Sequence, residues 1–222
     1  MSAPSTLVIE TSTPHASIAL VGPDGVIEQR GFCSDRNHNA MLFEPLQELL
    51  AGRPEVGLVL VGSGPGSYSG TRVGIAAAQG VAIAMGCPAV AVPSILAVPS
   101  ADGGAPCLSI GDARRGSFWT ARVGNFHLIE EPALCDVTGL EAIVSQAVED
   151  GVGVFSFEDP ARFPFAETHG VKLEFPDATR LWYAWNGTDG ETRRKWSAEI
   201  PQPLYLKPPH ITPGKRAPLV RP

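Results

Sequence analysis

Lysine is missing from the first 171 residues of this chain. All four lysines, Lys172, Lys195, Lys207 and Lys215, stand in the last quarter, and the first 110 residues carry only Arg30, Arg36, Arg53 and Arg72 as cations. That half has no basic stripe of the kind that grips nucleic acid unaided. The four cysteines, Cys33, Cys87, Cys107 and Cys135, form no CxxC pair. This excludes a compact zinc cluster and a disulfide framework, and leaves four thiols in a reducing compartment. His15, His38, His127, His169 and His210 never fall as HxxxH or HExxH, so the zinc-peptidase motif is absent. The start, MSAPSTLVIE, lacks both the cation and the long apolar run of a secretory signal. No internal repeat is visible. The longest uncharged stretch, Val73 to Ala101, is broken by Gly86, Pro88, Pro93 and Pro99. Its helical part, about 13 residues, suits a buried core rather than a membrane span. These absences predict a soluble, cytoplasmic protein with no membrane partner.

The 222 residues are 44% hydrophobic and 18% charged, with a net charge of −6. That is an ordinary globular balance, with enough chain for one large domain or two small ones. TLVIET, ASIALV and VIEQRGF are β-type runs separated by the turn-like STPH and GPDG, and predict an antiparallel meander. In NHNAMLFEPLQELLAG the apolar residues recur at helical spacing, with Pro45 marking a kink or a start and Gly52 a cap. VGLVLVGS reads as a buried strand, Thr71 to Met85 as a helix closed by Gly86, and AVAVPS as one more strand. The order β-β-β-α-β-α-β predicts an α/β, ribonuclease-H-like half of the actin/Hsp70 superfamily, occupying residues 1–100. ADGGAP then reads as a linker, and residues 101–222 as a smaller lobe. There CLSIGDARRGSFWTARV predicts two strands around a turn, GLEAIVSQAVEDG a short helix, and TRRKWS a solvated loop. PQPLYLKPP is expected to be extended and docked by Leu204, Tyr205 and Leu206, with the last eight or so residues disordered.

The glycine-rich segment GSGPGSYSG fits neither the phosphate-binding GxxxxGK[ST] nor GxGxxG. Two readings remain. Gly64, Gly66, Ser67 and Gly70 form a weak anion or nucleotide site at a helix start, or simply a tight strand-to-helix turn. The helix that follows carries only Arg72 and Gln79 as strongly polar side chains. Gly74, Ala77, Ala78, Val81 and Met85 share one face, and Arg72, Ala76, Gln79 and Ile83 the other. A helix so apolar all round is expected to be covered on most sides. The preceding helix adds Met41, Leu42, Phe43, Leu46, Leu49 and Leu50, more than one narrow stripe. Two such neighbours predict a partner surface built from Met41, Leu42, Pro45, Leu46, Leu49, Arg72, Ala76, Gln79 and Ile83, with the Ala76–Ile83 face docking.

For catalysis the sequence offers Glu10 at the end of the first strand and Asp112 beside Arg114, with no third carboxylate for a metal-dependent nuclease. Glu10 also reads as a strand-end residue bonding nearby backbone, and Asp112 as a turn residue paired with Arg114. No GxSxG is present. The enzyme alternative is a nucleotide-dependent phosphotransferase or ATPase using Glu10, the Gly64–Gly70 loop and Asp112.

LVIETSTPHASIALV, the helix after His38, GSGPGSYSGTRVGIAAAQGVAIA, DARRGSFWTARV and PQPLYLK occur in the order found in the TsaB (YeaZ) family, which the chain resembles over nearly its whole length. The match is sharpest over Gly64–Gly80 and weak from about 125 to 198. The resemblance implies two actin-like lobes with the second reduced. It also implies a non-catalytic dimerisation subunit in the making of threonylcarbamoyladenosine at position 37 of tRNA. The implied partners are the catalytic paralogue TsaD or, alone, a second copy of the chain, with the ATPase TsaE joining the pair and tRNA reached only through the complex. No cofactor is then required by this chain, ATP and metal belonging to the partners. TsaD carries an HxxxH-type metal motif, which is lacking here. The family's older glycoprotease label finds no peptidase motif. Family members typically carry aspartate where this chain has Glu10, which puts nucleotide chemistry at that position further in doubt.

Overall fold

The computed structural model describes residues 3–33, 38–52, 55–163 and 170–206. Three strands open it: β1 (Ser5–Glu10), β2 (His15–Gly22) and β3 (Gly25–Cys33), paired antiparallel with Val8 opposite Ala19 and Ile18 opposite Arg30. Gly25, at φ 120°, makes the tight turn between the last two. Then come α1 (His38–Leu50), β4 (Val56–Gly62), α2 (Tyr68–Met85) and β5 (Ala89–Val92). β4 pairs parallel with β1 and β5 with β4, so the sheet order is β3-β2-β1-β4-β5. The two helices are the crossovers that parallel pairing requires. The expected order of elements holds throughout this half.

A short helix α3 (Pro99–Asp102) overlaps the segment expected to be a plain linker. Beyond it lie β6 (Cys107–Asp112), β7 (Phe118–Gly124), β8 (His127–Cys135), α4 (Val137–Glu149), β9 (Gly153–Ser156) and β10 (Lys172–Leu173). Their sheet runs β10-β9-β6-β7-β8. Counted from β6, this is the topology of the first sheet over again: an antiparallel meander followed by two parallel additions. The repeat lies in the path of the backbone, because burial and turn geometry constrain the class of a residue and not its identity.

The chain then returns to the first sheet through α5 (Ala178–Gly187) and α6 (Gly190–Ala198), neither of which the sequence reading expected. TRRKWS therefore lies on a helix, started by Asp189, whose carboxylate accepts the Glu191 and Thr192 N–H groups. α5 packs on β1, β2 and β4, and the Ser17 hydroxyl accepts its first N–H, from Ala178, at 2.9 Å. Residues 201–206 form neither helix nor strand, and Leu204 N–H donates to the Ser63 carbonyl at 2.8 Å. The terminal residues expected to be disordered, with Lys207 and Lys215, lie outside the described residues.

Three apolar cores follow from these layers. One face of the first sheet buries Leu7, Ile9, Ile18 and Leu20 against α1 and α2. Its other face shares a core with α5 and the second sheet, through Val8, Leu60, Trp119, Phe155 and Leu181. The far face of the second sheet packs on α4 through Leu108, Ile110, Leu140 and Val144. α2 has 18 residues, starting three before the expected Thr71, because Ser67 caps it by accepting the Gly70 N–H at 3.2 Å. No helix among the described residues is long and apolar enough to cross a membrane.

Candidate partner surface and inter-lobe cleft

Along α2 the glycines decide what touches what. A Cβ on Gly66 would lie 2.2 Å from the Ser12 carbonyl oxygen, one on Gly70 2.3 Å from the Thr11 carbonyl oxygen, and one on Gly74 2.2 Å from Thr11 Oγ1. The segment after β1 is therefore laid directly on the first turns of α2. Ser67 N–H donates to the Ser12 carbonyl at 2.6 Å, and Thr11 Oγ1 donates to the Gly70 carbonyl at 2.9 Å. Of the four expected anion-binding positions, Gly64 is buried at φ 89°, where a side chain is strained, and Gly66, Ser67 and Gly70 are engaged by the chain's own backbone or cap. Their local geometry is that of a packing joint.

The outer side of α2 is another matter. Arg72, Ala76, Gly80, Ala84 and Met85 are exposed, and Ile83 is 82% exposed. On α1, which shares the same face of the sheet, Met41 and Phe43 are exposed at 40% and 54%. The exposed face of α2 is the one expected to dock. Several expected members of that surface are corrected, however. Leu42, Leu46 and Leu49 are buried in the chain's own core, because their i, i+4, i+7 spacing turns all three toward the sheet. Pro45 is half-buried inside a helix that runs from His38 through it, so the helix neither starts there nor stops. Gln79 is half-buried and donates to the Pro201 carbonyl at 3.1 Å, which ties it to the segment after α6. Met85 turns outward, not inward. Phe43, Gly80 and Ala84 belong to the outer surface and were missed, although the helical period of the buried leucines points to Phe43. Arg72 is held over the Tyr68 ring at 5.0 Å and donates to its hydroxyl at 2.6 Å, and Tyr205 closes on Tyr68 at 6.0 Å.

Between the lobes lies a cleft of about 1290 Å³. Ser12, Thr13, His15, Ser67 and Tyr68 line one wall, and Asp112, Arg114, Arg115, Glu158 and Arg162 the other. Asp112 is paired with Arg114 at 3.1 Å and donates its N–H to Glu158 at 2.7 Å, so the expected turn ion pair is present. Glu10 does not reach the cleft. It is fully buried behind Gly62, where its Oε1 accepts the Ser12 N–H at 2.7 Å, as the strand-end reading expected. The structure thus does not bring Glu10 together with Asp112, and the carboxylate set of the ATPase reading is not assembled. Among the described residues no group of histidines, cysteines and acids is placed to hold a metal ion. All four cysteines are free. His15 stacks on Phe175 and His127 faces Asp189, while His169 and His210 lie outside the described residues and the side chain of His38 is not described.

Burial pushes the Glu10 carboxyl above its ordinary value, against the Ser12 and Ser94 contacts that favour the charge. The folded state then holds this proton more tightly than the unfolded chain. The stability it contributes is complete below about 4.5 and is lost as pH rises through the raised folded value. Glu10→Gln is expected to match the native protein at pH 4 and to be the more stable of the two at pH 8, measured by thermal melting.

Two ribonuclease-H-like sheets of the same topology, joined in one chain with a cleft between them, define the actin/Hsp70-like class. Comparison with known proteins agrees. A solved Pseudomonas aeruginosa structure described as similar to peptidase YEAZ covers 92% of this chain and 100% of its own at a TM-score of 0.67 and 20% identity. A second, YeaZ from Pseudomonas aeruginosa, covers the same shares at 0.62 and 19%. A family model described as TsaD, tRNA N6-adenosine threonylcarbamoyltransferase, matches residues 33–186. Among curated relatives, the tRNA threonylcarbamoyladenosine biosynthesis protein TsaB of Escherichia coli is 28% identical over 52% of this chain and 53% of its own. That of Bacillus subtilis is 32% identical over 51% and 52%. The chain belongs to the family whose model is described as TsaD, tRNA N6-adenosine threonylcarbamoyltransferase, and its curated relatives are named TsaB. It spans about half the length of the curated relatives it matches.

Proposed function

We propose that the chain is a non-catalytic subunit of the cytoplasmic assembly that transfers a threonylcarbamoyl group to adenosine 37 of tRNA, docking a TsaD-type catalytic partner through the outer face of α2. The carrying observation is that face. Ala76, Gly80, Ile83 and Ala84 form an exposed, small and apolar strip beside the exposed Met41 and Phe43 of α1. Small residues let a second helix approach closely, and large apolar ones at the rim anchor it. The names of the curated relatives, tRNA threonylcarbamoyladenosine biosynthesis proteins, support a role in making that nucleoside. The buried position of Glu10, away from Asp112, favours a scaffold over an ATPase. In this reading the chain needs no cofactor, ATP and metal serve TsaD and a TsaE-type ATPase, a second copy occupies the α2 face when the partner is absent, and tRNA is modified only by the complex. The test is modification of an unmodified tRNA transcript by the partner subunits with and without this chain. The expected result is loss of at least about tenfold in rate when the chain is omitted, an effect of the size of one good interface contact. Full activity without it contradicts the proposal.

A further inference from the structure

Arg72 is the only charged residue from Val56 to Ala101, a stretch that holds all of β4, α2 and β5. It stands on the exposed side of α2, and among the described residues no acid is paired with it. Its position is fixed all the same. The guanidinium lies 5.0 Å from the Tyr68 ring centre and donates to the Tyr68 hydroxyl at 2.6 Å, while Tyr205 backs that ring at 6.0 Å. A side chain held in this way has already given up rotamer freedom that an ordinary surface arginine loses on binding.

The other end of the same face is apolar. Ile83, about three turns further along, and Ile200, in the segment after α6, are the most exposed large apolar side chains among the described residues, at 82% and 80%. They line a groove of about 480 Å³ together with Ala82, Cys87 and Ala89, and the Gln79 bond to the Pro201 carbonyl at 3.1 Å holds its two walls together. Between Arg72 and Ile83 the exposed positions of α2 are Ala76 and Gly80. The face thus has a cation at one end, small residues in the middle and an apolar groove at the other end.

We infer that this face takes one helix of the TsaD-type partner, laid along α2, with a carboxylate against Arg72 and a large apolar side chain in the Ile83–Ile200 groove. The small residues admit a close, nearly aligned helix. Arg72 and Ile83 are about 16 Å apart along the axis, so the two partner residues stand about three turns apart on one side of that helix. Charge chooses the occupant. A guanidinium covered by a partner is costly unless a carboxylate meets it. A second copy offers no acid on its own α2, and of the two on its α1, Glu44 and Glu48, the latter is taken by Arg30. The same two ends fix the direction of docking: a reversed helix sets its carboxylate over the groove and its apolar side chain against the guanidinium. The inference rests on the proposed docking role of α2 and adds what the partner must carry.

The experiment titrates the TsaD-type protein of the same organism into the full native chain and into Arg72→Gln, Ile200→Ser and Ala76→Arg. Positions 72 and 200 are exposed, and melting confirms that the variants are folded. Binding is expected to weaken about thirtyfold with Arg72→Gln and about tenfold with Ile200→Ser. Arg72→Glu is expected to bind more weakly still, and one acid-to-lysine change on the partner's docking helix to restore it. Native-like binding by both Arg72→Gln and Ile200→Ser, with Ala76→Arg still excluded, overturns the inference and leaves the docking role standing. Weakened self-association of these two variants, with partner binding unchanged, makes a second copy the occupant and overturns it as well. A native chain that does not bind the partner tells against the proposed function itself, and the inference falls with it.

Discussion

Ala77→Arg is expected to leave the protein largely unfolded, and Ala76→Arg to leave it folded but without its partner. The two alanines are adjacent in sequence and point about 100° apart around the helix axis. Ala77 is 7% exposed and packs in the core between α2 and the first sheet, whereas Ala76 is exposed. An arginine at 77 places an unpaired charge and a long side chain where there was one methyl group. Uncompensated buried charge costs about 3–5 kcal/mol, and overpacking adds about 1–3 more, against a typical domain stability of about 5–15 kcal/mol. An arginine at 76 extends into water and changes stability by no more than about 0.5 kcal/mol. On a small-residue docking strip it holds the incoming helix away, at about 2–4 kcal/mol of binding, or roughly 30- to 1,000-fold in Kd. Melting curves and a binding titration on both variants read the two effects separately.

The second large effect concerns Gly70. Replacing an interior helix glycine by alanine ordinarily stabilises a helix by about 0.5–1 kcal/mol. Gly80→Ala follows that rule, because a Cβ there meets nothing within 4 Å. Gly70→Ala reverses it. Its methyl would stand 2.3 Å from the Thr11 carbonyl oxygen, a backbone atom held by the end of β1. Relieving that overlap means parting α2 from the Thr11–Ser12 segment and losing the Ser67 N–H to Ser12 and Thr11 hydroxyl to Gly70 bonds. The expected cost is about 3 kcal/mol, from overpacking plus the broken bonds. Chemical denaturation of Gly70→Ala and Gly80→Ala side by side checks the opposite signs. Equal, favourable shifts would mean that the glycine loop is an open cradle after all and not a packing joint.

How far the sequence carries can be judged from these same residues. The meander, α1, β4, α2 and β5 were legible because each is written locally, in strand alternation, helical spacing and turn residues such as GPDG and Gly86. The outward direction of Ala76 and Ile83 was legible for the same reason. The glycines of GSGPGSYSG were not, since their purpose depends on Thr11 and Ser12, more than fifty residues away in the chain. Glu10 could be read as a strand-end residue, but its seclusion from the cleft is set by Gly62 and Ser94 on other elements. Leu42, Leu46 and Leu49 were assigned to a partner by counting apolar residues, where their spacing assigns them to the sheet. α5 and α6 went unseen because their tryptophans are only partly buried and their charged residues mask the period. The doubled sheet topology left no trace in residue identity.

The most direct test of the docking role is the mixing of this chain with the TsaD-type transferase of the same organism, followed by size-exclusion chromatography with light scattering. A one-to-one heterodimer with the native chain, lost with Ala76→Arg, is the predicted result. A heterodimer that survives Ala76→Arg unchanged contradicts the assignment of the outer face of α2 as the docking surface.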